Sequence, residues 1–286
     1  MASLCSPCSP PFKCFSLMSG VMLKVAVYGF LRFLLSVSAP ELWWGGVLIL
    51  TAGSISALFG VIYALKENDI KRMLAYSSIE NIGIIFTGIG LYAVFKVEGL
   101  ESLALLSLVG ACFHAFNHAV FKSLLFLCAG SVVHATGTRK IEAFGGLVKS
   151  MPVTSALFLI GSVSIAAMPP TNGFAGELLL YQAFFQSFAV TDPLLNIFLI
   201  IALSSFALTG ALAAALFVKL FGITCLAIPR SEKSRLAEEV QKPMLVGPAV
   251  PAAFCILGGL FSKQLLSLAG WKIDFRTFSC WGFFSG

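Results

Sequence analysis

The stretch that decides the fold is residues 102–133, SLALLSLVGACFHAFNHAVFKSLLFLCAGSVV, in which Lys122 is the one formally charged residue. A membrane-spanning helix needs about 20 mostly apolar residues, so this run is long enough to cross a bilayer. The rest of the chain has the same character, because 58% of its 286 residues are hydrophobic and 11% are charged. A soluble domain has about a quarter of its residues charged. The sequence therefore predicts an all-α, polytopic membrane protein.

Long unbroken apolar runs predict a bundle of about eight transmembrane helices rather than the short alternating strands of a β-barrel. The predicted spans are residues 15–39, 43–65, 73–95, 102–133, 152–168, 173–189, 194–218 and 244–261. Pro169 and Pro170 predict a break after the fifth span, because proline removes backbone donors. Residues 1–14 and 269–286 differ in composition and are expected to be tails around a membrane domain of residues 15–268. With eight spans, basic loop residues fall on both sides, so the positive-inside rule gives no orientation.

The net charge of +6 lies in the predicted loops, and we expect no nucleic-acid binding. Cys5, Cys8 and Cys14 form a CxxC plus one, but a zinc site would need a fourth ligand. The chain has no cysteine quartet spaced for an iron–sulfur cluster and no glycine-rich nucleotide loop after a strand. We therefore expect no cofactor, no metal site and no redox centre in this chain.

A polar stripe lies within the fourth predicted span. His114, His118 and Lys122 are four residues apart, which places them on one face of a helix. Imidazole can accept a proton on one ring nitrogen and release one from the other, and a lysine removed from water can cycle between charged and neutral forms. The stripe predicts a proton path. Helix packing through interhelical hydrogen bonds and metal binding by the two histidines are the alternatives.

Further charges lie in other apolar runs, although a charge at the bilayer centre costs at least about 2.5–3.5 kcal/mol. Glu177 follows the predicted break, and broken helices in membranes line ion sites. Lys24 and Glu177 each have a glycine four residues before and a tyrosine four residues after, which hints at two related halves. Glu80 lies near the start of its span, and an interfacial carboxylate without a role is the alternative there.

Four segments resemble one family. They are residues 17–33 (LMSGVMLKVAVYGFLRF), 68–85 (NDIKRMLAYSSIENIGII), 114–139 (HAFNHAVFKSLLFLCAGSVVHATGTR) and 168–184 (MPPTNGFAGELLLYQAF). In this order they resemble the proton-conducting, antiporter-like membrane subunits of respiratory complex I, Mrp-type cation/proton antiporters and energy-converting nickel–iron hydrogenases. The runs SSIENIGI and PPTNGFAGE are most similar to the branch of hydrogenase-4 component B and the formate hydrogenlyase membrane subunit. The resemblance covers roughly residues 17–268.

The resemblance implies two inverted five-helix repeats, each with a charged residue on a broken helix. By motif match the implied proton path comprises Lys24 and Glu177 on the broken helices, Lys122 and His118 on the central axis with His114 beside them, and Lys71 at the DIKR boundary. Glu80 is a further candidate from its burial. Family members have more helices than this chain, so a C-terminal fragment is expected, with the second repeat and the end of the first.

The implied function is proton translocation in the inner (plasma) membrane, as a subunit of a redox-driven complex. The expected partners are the lipid bilayer, other membrane subunits and, through them, hydrogenase or dehydrogenase redox subunits. The complex would be of the hydrogenase, formate hydrogenlyase or NADH:quinone oxidoreductase type. An Mrp-type Na⁺/H⁺ antiporter subunit and a non-functional truncated fragment are the alternatives.

Overall fold

The computed structural model describes residues 16, 18–36, 43–226 and 228–268. Both predicted tails lie outside these residues, as do Cys5, Cys8 and Cys14. Eight longer helices form the described bundle: α1 (Leu23–Ser36), α2 (Trp43–Lys66), α3 (Ile70–Val97), α4 (Glu101–Thr136), α5 (Pro152–Ile165), α6 (Asn172–Phe185), α7 (Pro193–Phe221) and α8 (Lys242–Leu260). Short helices at Leu147–Ser150, Glu232–Arg235 and Ser262–Leu268 lie between or after them. A π-helical turn, Met18–Met22, precedes α1.

Six segments of the described chain are long and apolar enough to cross a membrane. They are Met18–Ser36, Trp43–Lys66, Ile70–Val97, Glu101–Thr136, Pro193–Leu226 and Lys242–Leu260. They correspond to six of the predicted spans, and the polytopic all-α fold is confirmed. Most residues in the apolar segments of α3 and α4 are buried, whereas most of those in α7 and α8 are partly or fully exposed. Helices α3 and α4 therefore lie at the centre of the bundle.

The fifth and sixth predicted spans correspond to α5 and α6, which have 14 residues each and are therefore about 21 Å long. Gly161 of α5 faces Leu124 and Leu125 of α4, and Gly176 of α6 faces His114 of α4. Both helices thus run antiparallel to α4, one after the other along its length. They are the two halves of one discontinuous span, broken at residues 166–171, rather than two separate spans.

Helices α2 and α3 pack through glycines spaced by seven residues. Gly46, Gly53 and Gly60 of α2 face α3, and Gly83 and Gly90 of α3 face α2. A Cβ atom on Gly60 would lie 2.6 Å from the backbone nitrogen of Glu80, so no side chain fits there. A seven-residue repeat keeps one seam in contact along two helices, and small residues let their backbones approach. We call this contact the glycine seam.

The loops that carry most of the basic residues meet at one face. Ser231 and Ser234 donate hydrogen bonds to the carbonyl oxygens of Ala143 and Gly145, at 2.7 and 2.8 Å. The Asn68 amide donates to Glu142 Oε1 at 3.0 Å and brings the α2–α3 loop to the same place. The expectation of basic loops on both sides was wrong, because joining α5 and α6 into one span changes the side on which later loops emerge. This basic face carries Lys66, Lys71, Arg72, Arg139, Lys140, Lys149, Arg230, Lys233, Arg235 and Lys242.

Candidate functional site: a buried polar axis

Lys122 lies one turn past the middle of α4 and is fully buried. Its ammonium group donates to the carbonyl oxygen of Leu74 at 3.0 Å and to Ser77 Oγ at 2.5 Å, both on α3. The hydroxyl groups of Ser77 and Ser78, one turn later, also donate to the Leu74 carbonyl oxygen, at 3.2 and 3.0 Å, so this oxygen is an acceptor shared by three side chains. Because both acceptors are uncharged, the Lys122 ammonium group can release its proton without breaking an ion pair.

Lys24 reaches the same carbonyl through two serines. Its Nζ donates to the carbonyl oxygen of Ser19 at 2.6 Å, and the hydroxyl groups of Ser19 and Ser78 are 2.9 Å apart. Ser78 in turn donates to Leu74. Ser19 belongs to the π-helical turn, and such turns are frequent at functional sites because they disturb the regular hydrogen-bond ladder. Lys24 and Lys122 therefore share one polar network, although 98 positions separate them in the sequence.

The two histidines of the stripe differ in their partners. His114 Nε2 lies 3.2 Å from Asn81 Oδ1, and the Asn81 amide donates to the carbonyl oxygen of Ser77 at 2.9 Å. Neither ring nitrogen of His118 has a hydrogen-bond partner among the described residues. The ring of Phe121 lies 5.5 Å from the His118 ring and 6.2 Å from the His114 ring. Both imidazoles are thus buried with unused hydrogen-bonding capacity.

Glu80 and Glu177 approach the axis from two further helices. Glu80 is 1% exposed within α3, and its Oε2 atom has no hydrogen-bond partner in the described chain. It is close enough to interact electrostatically with Lys122 and with Glu177. Glu177 is 7% exposed in the second turn of α6, just after the break. The Asn117 amide holds this helix against α4 by donating to the carbonyl oxygen of Asn172 at 2.9 Å.

Lys71 lies at the basic face rather than in the middle of the axis. Its backbone N–H donates to Asp69 Oδ1 at 2.8 Å in the cap of α3, and its side chain interacts electrostatically with Arg139. It is 7% exposed and lies one turn from Leu74. The structure therefore brings six predicted residues together, namely Lys24, Glu80, His114, His118, Lys122 and Glu177, and places the seventh at one end.

The sequence reasoning missed the uncharged members of the axis: Ser19, Ser77, Ser78 and Asn81. A signal was present, because Ser77 and Asn81 are polar residues four apart in an apolar helix, the same spacing as the histidines. In the described ranges no group of three or more His, Cys, Asp or Glu side chains could hold a metal ion. The described cysteines, Cys112, Cys128, Cys225 and Cys255, are free thiols.

An all-helical membrane bundle with a discontinuous span and buried lysines on its central helices defines the class of antiporter-like membrane subunits. Residues 9–204 match the family described as NADH:quinone oxidoreductase/Mrp antiporter, TM, and the chain belongs to this family. It is 43% identical over 258 residues to hydrogenase-4 component B of Escherichia coli K12, covering 89% of this chain and 38% of that protein.

Two further comparisons agree with this assignment. The chain is 42% identical over 256 residues to formate hydrogenlyase subunit 3 of Escherichia coli K12, covering 88% of this chain and 41% of that one. Its fold matches a chain of the Mrp complex from Dietzia sp. DQ12-45-1b with a TM-score of 0.74 at 20% identity, covering 89% of this chain and 51% of that one. The chain thus spans about two fifths of the length of the two curated relatives.

Proposed function

We propose that this chain conducts protons along the buried axis, as a membrane subunit of a redox-driven complex of the hydrogenase-4 or formate hydrogenlyase type. The observation that carries the proposal is the environment of Lys122. This fully buried ammonium group is joined to Lys24 through Leu74, Ser78 and Ser19, and its acceptor residue Ser77 is joined to His114 through Asn81. A membrane protein retains such costly groups where ions move.

Proton transfer along this axis needs groups that both accept and release protons. The Ser77 hydroxyl donates to the Leu74 carbonyl oxygen, so to relay a proton from Lys122 it would first turn its own hydrogen toward a bridging water. The Leu74 carbonyl only holds the lysine and the serine in place. Beyond Ser77, the unpartnered atoms of His118 and Glu80 are buried polar groups, which proteins satisfy with internal water. Water would therefore bridge the steps that no direct hydrogen bond covers.

The two ends of the axis have different chemistry. Lys71 would exchange protons with the aqueous basic face, one turn from Leu74. Glu177 would exchange them beside the break at residues 166–171, where backbone groups freed from helix hydrogen bonds favour polar surroundings. The central carrier is Lys122, and the histidines relay between it and Glu177.

Two alternatives, helix packing and metal binding by the histidines, explain fewer features of the site than proton conduction does. Four nitrogens belong to the rings of His114 and His118, and one of them makes an interhelical hydrogen bond to a described residue. A packing role would use these nitrogens to join helices, because an unsatisfied buried polar group costs about 1–3 kcal/mol. A metal site needs further ligands, and the described residues offer no group of three.

The expected setting of the chain follows from its relatives. We place it in the inner (plasma) membrane, in contact with lipid and with other membrane subunits, which connect it to hydrogenase or dehydrogenase subunits. Redox chemistry would take place in those partners. The family description also covers Mrp antiporters, so Na⁺/H⁺ exchange along the same axis is the second candidate function.

The test compares Lys122→Met with Lys219→Met in inverted membrane vesicles that carry the chain in its native complex. Lys219 is the matched control, because its ammonium group also donates to a backbone carbonyl, that of Leu65 at 2.8 Å, but at the end of α7. We expect redox-driven proton uptake, read with a pH-sensitive dye, to collapse in the first variant and to persist in the second. Unchanged uptake in an assembled Lys122→Met complex would refute the proposal. A strict requirement for Na⁺ would favour antiport instead.

A further inference from the structure

Asn81 holds His114 in one tautomer. The Asn81 side-chain nitrogen donates to the carbonyl oxygen of Ser77, so its oxygen is the atom that faces His114 Nε2 at 3.2 Å. Turning the amide over would set two acceptors, the Asn81 and Ser77 oxygens, against each other. All three residues are at most 1% exposed, so bulk water cannot supply another donor. Nε2 must therefore carry the ring hydrogen.

The other ring nitrogen of His114 faces the discontinuous span. Nδ1 has no hydrogen-bond partner among the described residues, and a Cβ atom on Gly176 of α6 would lie 3.0 Å from it. In the tautomer that Asn81 selects, this nitrogen carries the free lone pair. The lone pair thus opens toward α6, at the residue before Glu177.

We infer that Asn81 is a positioning residue, which makes His114 a one-sided proton site that takes up and returns its proton at Nδ1. The inference rests on the proposed function. A proton that binds Nδ1 forms the imidazolium, and the same proton leaves from Nδ1. The hydrogen on Nε2 stays in place, because its acceptor is an amide oxygen, which accepts a hydrogen bond but does not hold a proton near neutral pH.

His118 has the opposite properties. Both of its ring nitrogens lack hydrogen-bond partners in the described chain, so it can bind a proton at one nitrogen and release one from the other. It lies one turn from His114 and one turn from Lys122 along α4, and it interacts electrostatically with both and with Lys24. The two histidines of the stripe thus have different roles: His118 can pass a proton from one ring nitrogen to the other, and His114 takes up and returns a proton at the nitrogen that faces α6 at Gly176.

The test is nitrogen-15 NMR of the full chain, labelled at histidine and reconstituted in liposomes. The chain has three histidines, and His118→Gln and His134→Gln assign the signals. We expect wild-type His114 to show an attached proton at Nε2 and none at Nδ1. Asn81→Leu should give a mixture of tautomers, and Asn81→Gln should restore the wild-type pattern. Asn117→Leu is the matched control, because it removes an equally buried amide hydrogen bond that does not involve a histidine.

Proton flux separates a positioning role from a structural one. If the two tautomers are equally populated in Asn81→Leu, the Nδ1 lone pair is available half of the time, and flux should fall by about two-fold. Asn81→Gln should recover it. A wild-type ring with its proton on Nδ1, or a tautomer change in Asn81→Leu without loss of flux, would overturn the inference. Absence of flux in the wild-type complex would refute the proposed function instead, and the NMR result would still decide whether Asn81 holds the ring.

Discussion

The glycine seam offers a direct way to move one charged residue of the axis. In Gly60→Ala the new Cβ atom would lie 2.6 Å from the Glu80 nitrogen and 2.9 Å from its Cα, whereas ordinary contacts begin at 3.4 Å. Helices α2 and α3 must therefore separate by about 0.8 Å, the difference between 3.4 and 2.6 Å. Overpacking of this kind costs about 1–3 kcal/mol, and alanine returns up to about 1 kcal/mol in helix propensity. We expect a net loss of about 1 kcal/mol.

Gly45→Ala is the matched control on the same helix, because nothing lies within 4 Å of its added Cβ atom. It should gain up to about 1 kcal/mol, so the two variants should differ by about 2 kcal/mol, or roughly 4–8 °C in Tm. Thermal unfolding can be followed in detergent with a thiol-reactive dye, since Cys128, Cys225 and Cys255 are buried until the bundle opens. Displacement of Glu80 should also lower proton flux by roughly 10-fold. Equal Tm values for the two variants would refute the reasoning.

Two further predictions concern the basic face. We expect this face to be cytoplasmic by the positive-inside rule. Lys233→Cys should then be labelled from the cytoplasm and Glu101→Cys, at the start of α4, from the opposite side, each in a background without native cysteines; the reverse pattern would contradict the assignment. Glu239 caps α5 by accepting hydrogen bonds from the backbone N–H groups of Val153 and Thr154 at 2.9 and 3.3 Å, so Glu239→Ala should cost about 1–2 kcal/mol in thermal unfolding. The neighbouring exposed residue gives the control Glu238→Ala, and an equal loss there would argue against the cap.

Composition and run length predicted the bundle well. A helix that crosses a bilayer needs about 20 consecutive, mostly apolar residues, and such a run can be recognised from the local sequence alone. The prediction that α5 and α6 are two separate spans failed for a physical reason. The two predicted runs of 17 residues lie at the lower limit for a span, and hydropathy alone does not distinguish a short span from half of a broken one. The proline pair located the break correctly. The contacts of Gly161 and Gly176 with α4 were needed to show that the two halves follow one another.

The candidate site was predictable where one helix carries it. The spacing of His114, His118 and Lys122 on α4 needed only helical periodicity. The meeting of Lys24 with Leu74 depends on a backbone carbonyl and on two serines from different helices, which no spacing within one helix reveals. Asn81 was missed because an uncharged amide costs less to place in a membrane than a charge does. Its presence in an apolar run is therefore a weaker indication of function.

Helix α4 also indicates where the proposed relay would lie within the membrane potential. It has 36 residues, and its midpoint falls between His118 and Ala119, so about 27 Å of helix separates His118 from either end. Both ends join loops, so we expect the ring to lie near the bilayer midplane. A proton on the proposed path would then have crossed about half of the electrical distance at His118, which corresponds to roughly 1.2 kcal/mol per 100 mV. Proton uptake by His118 and proton release from it would therefore each cross about half of the membrane potential.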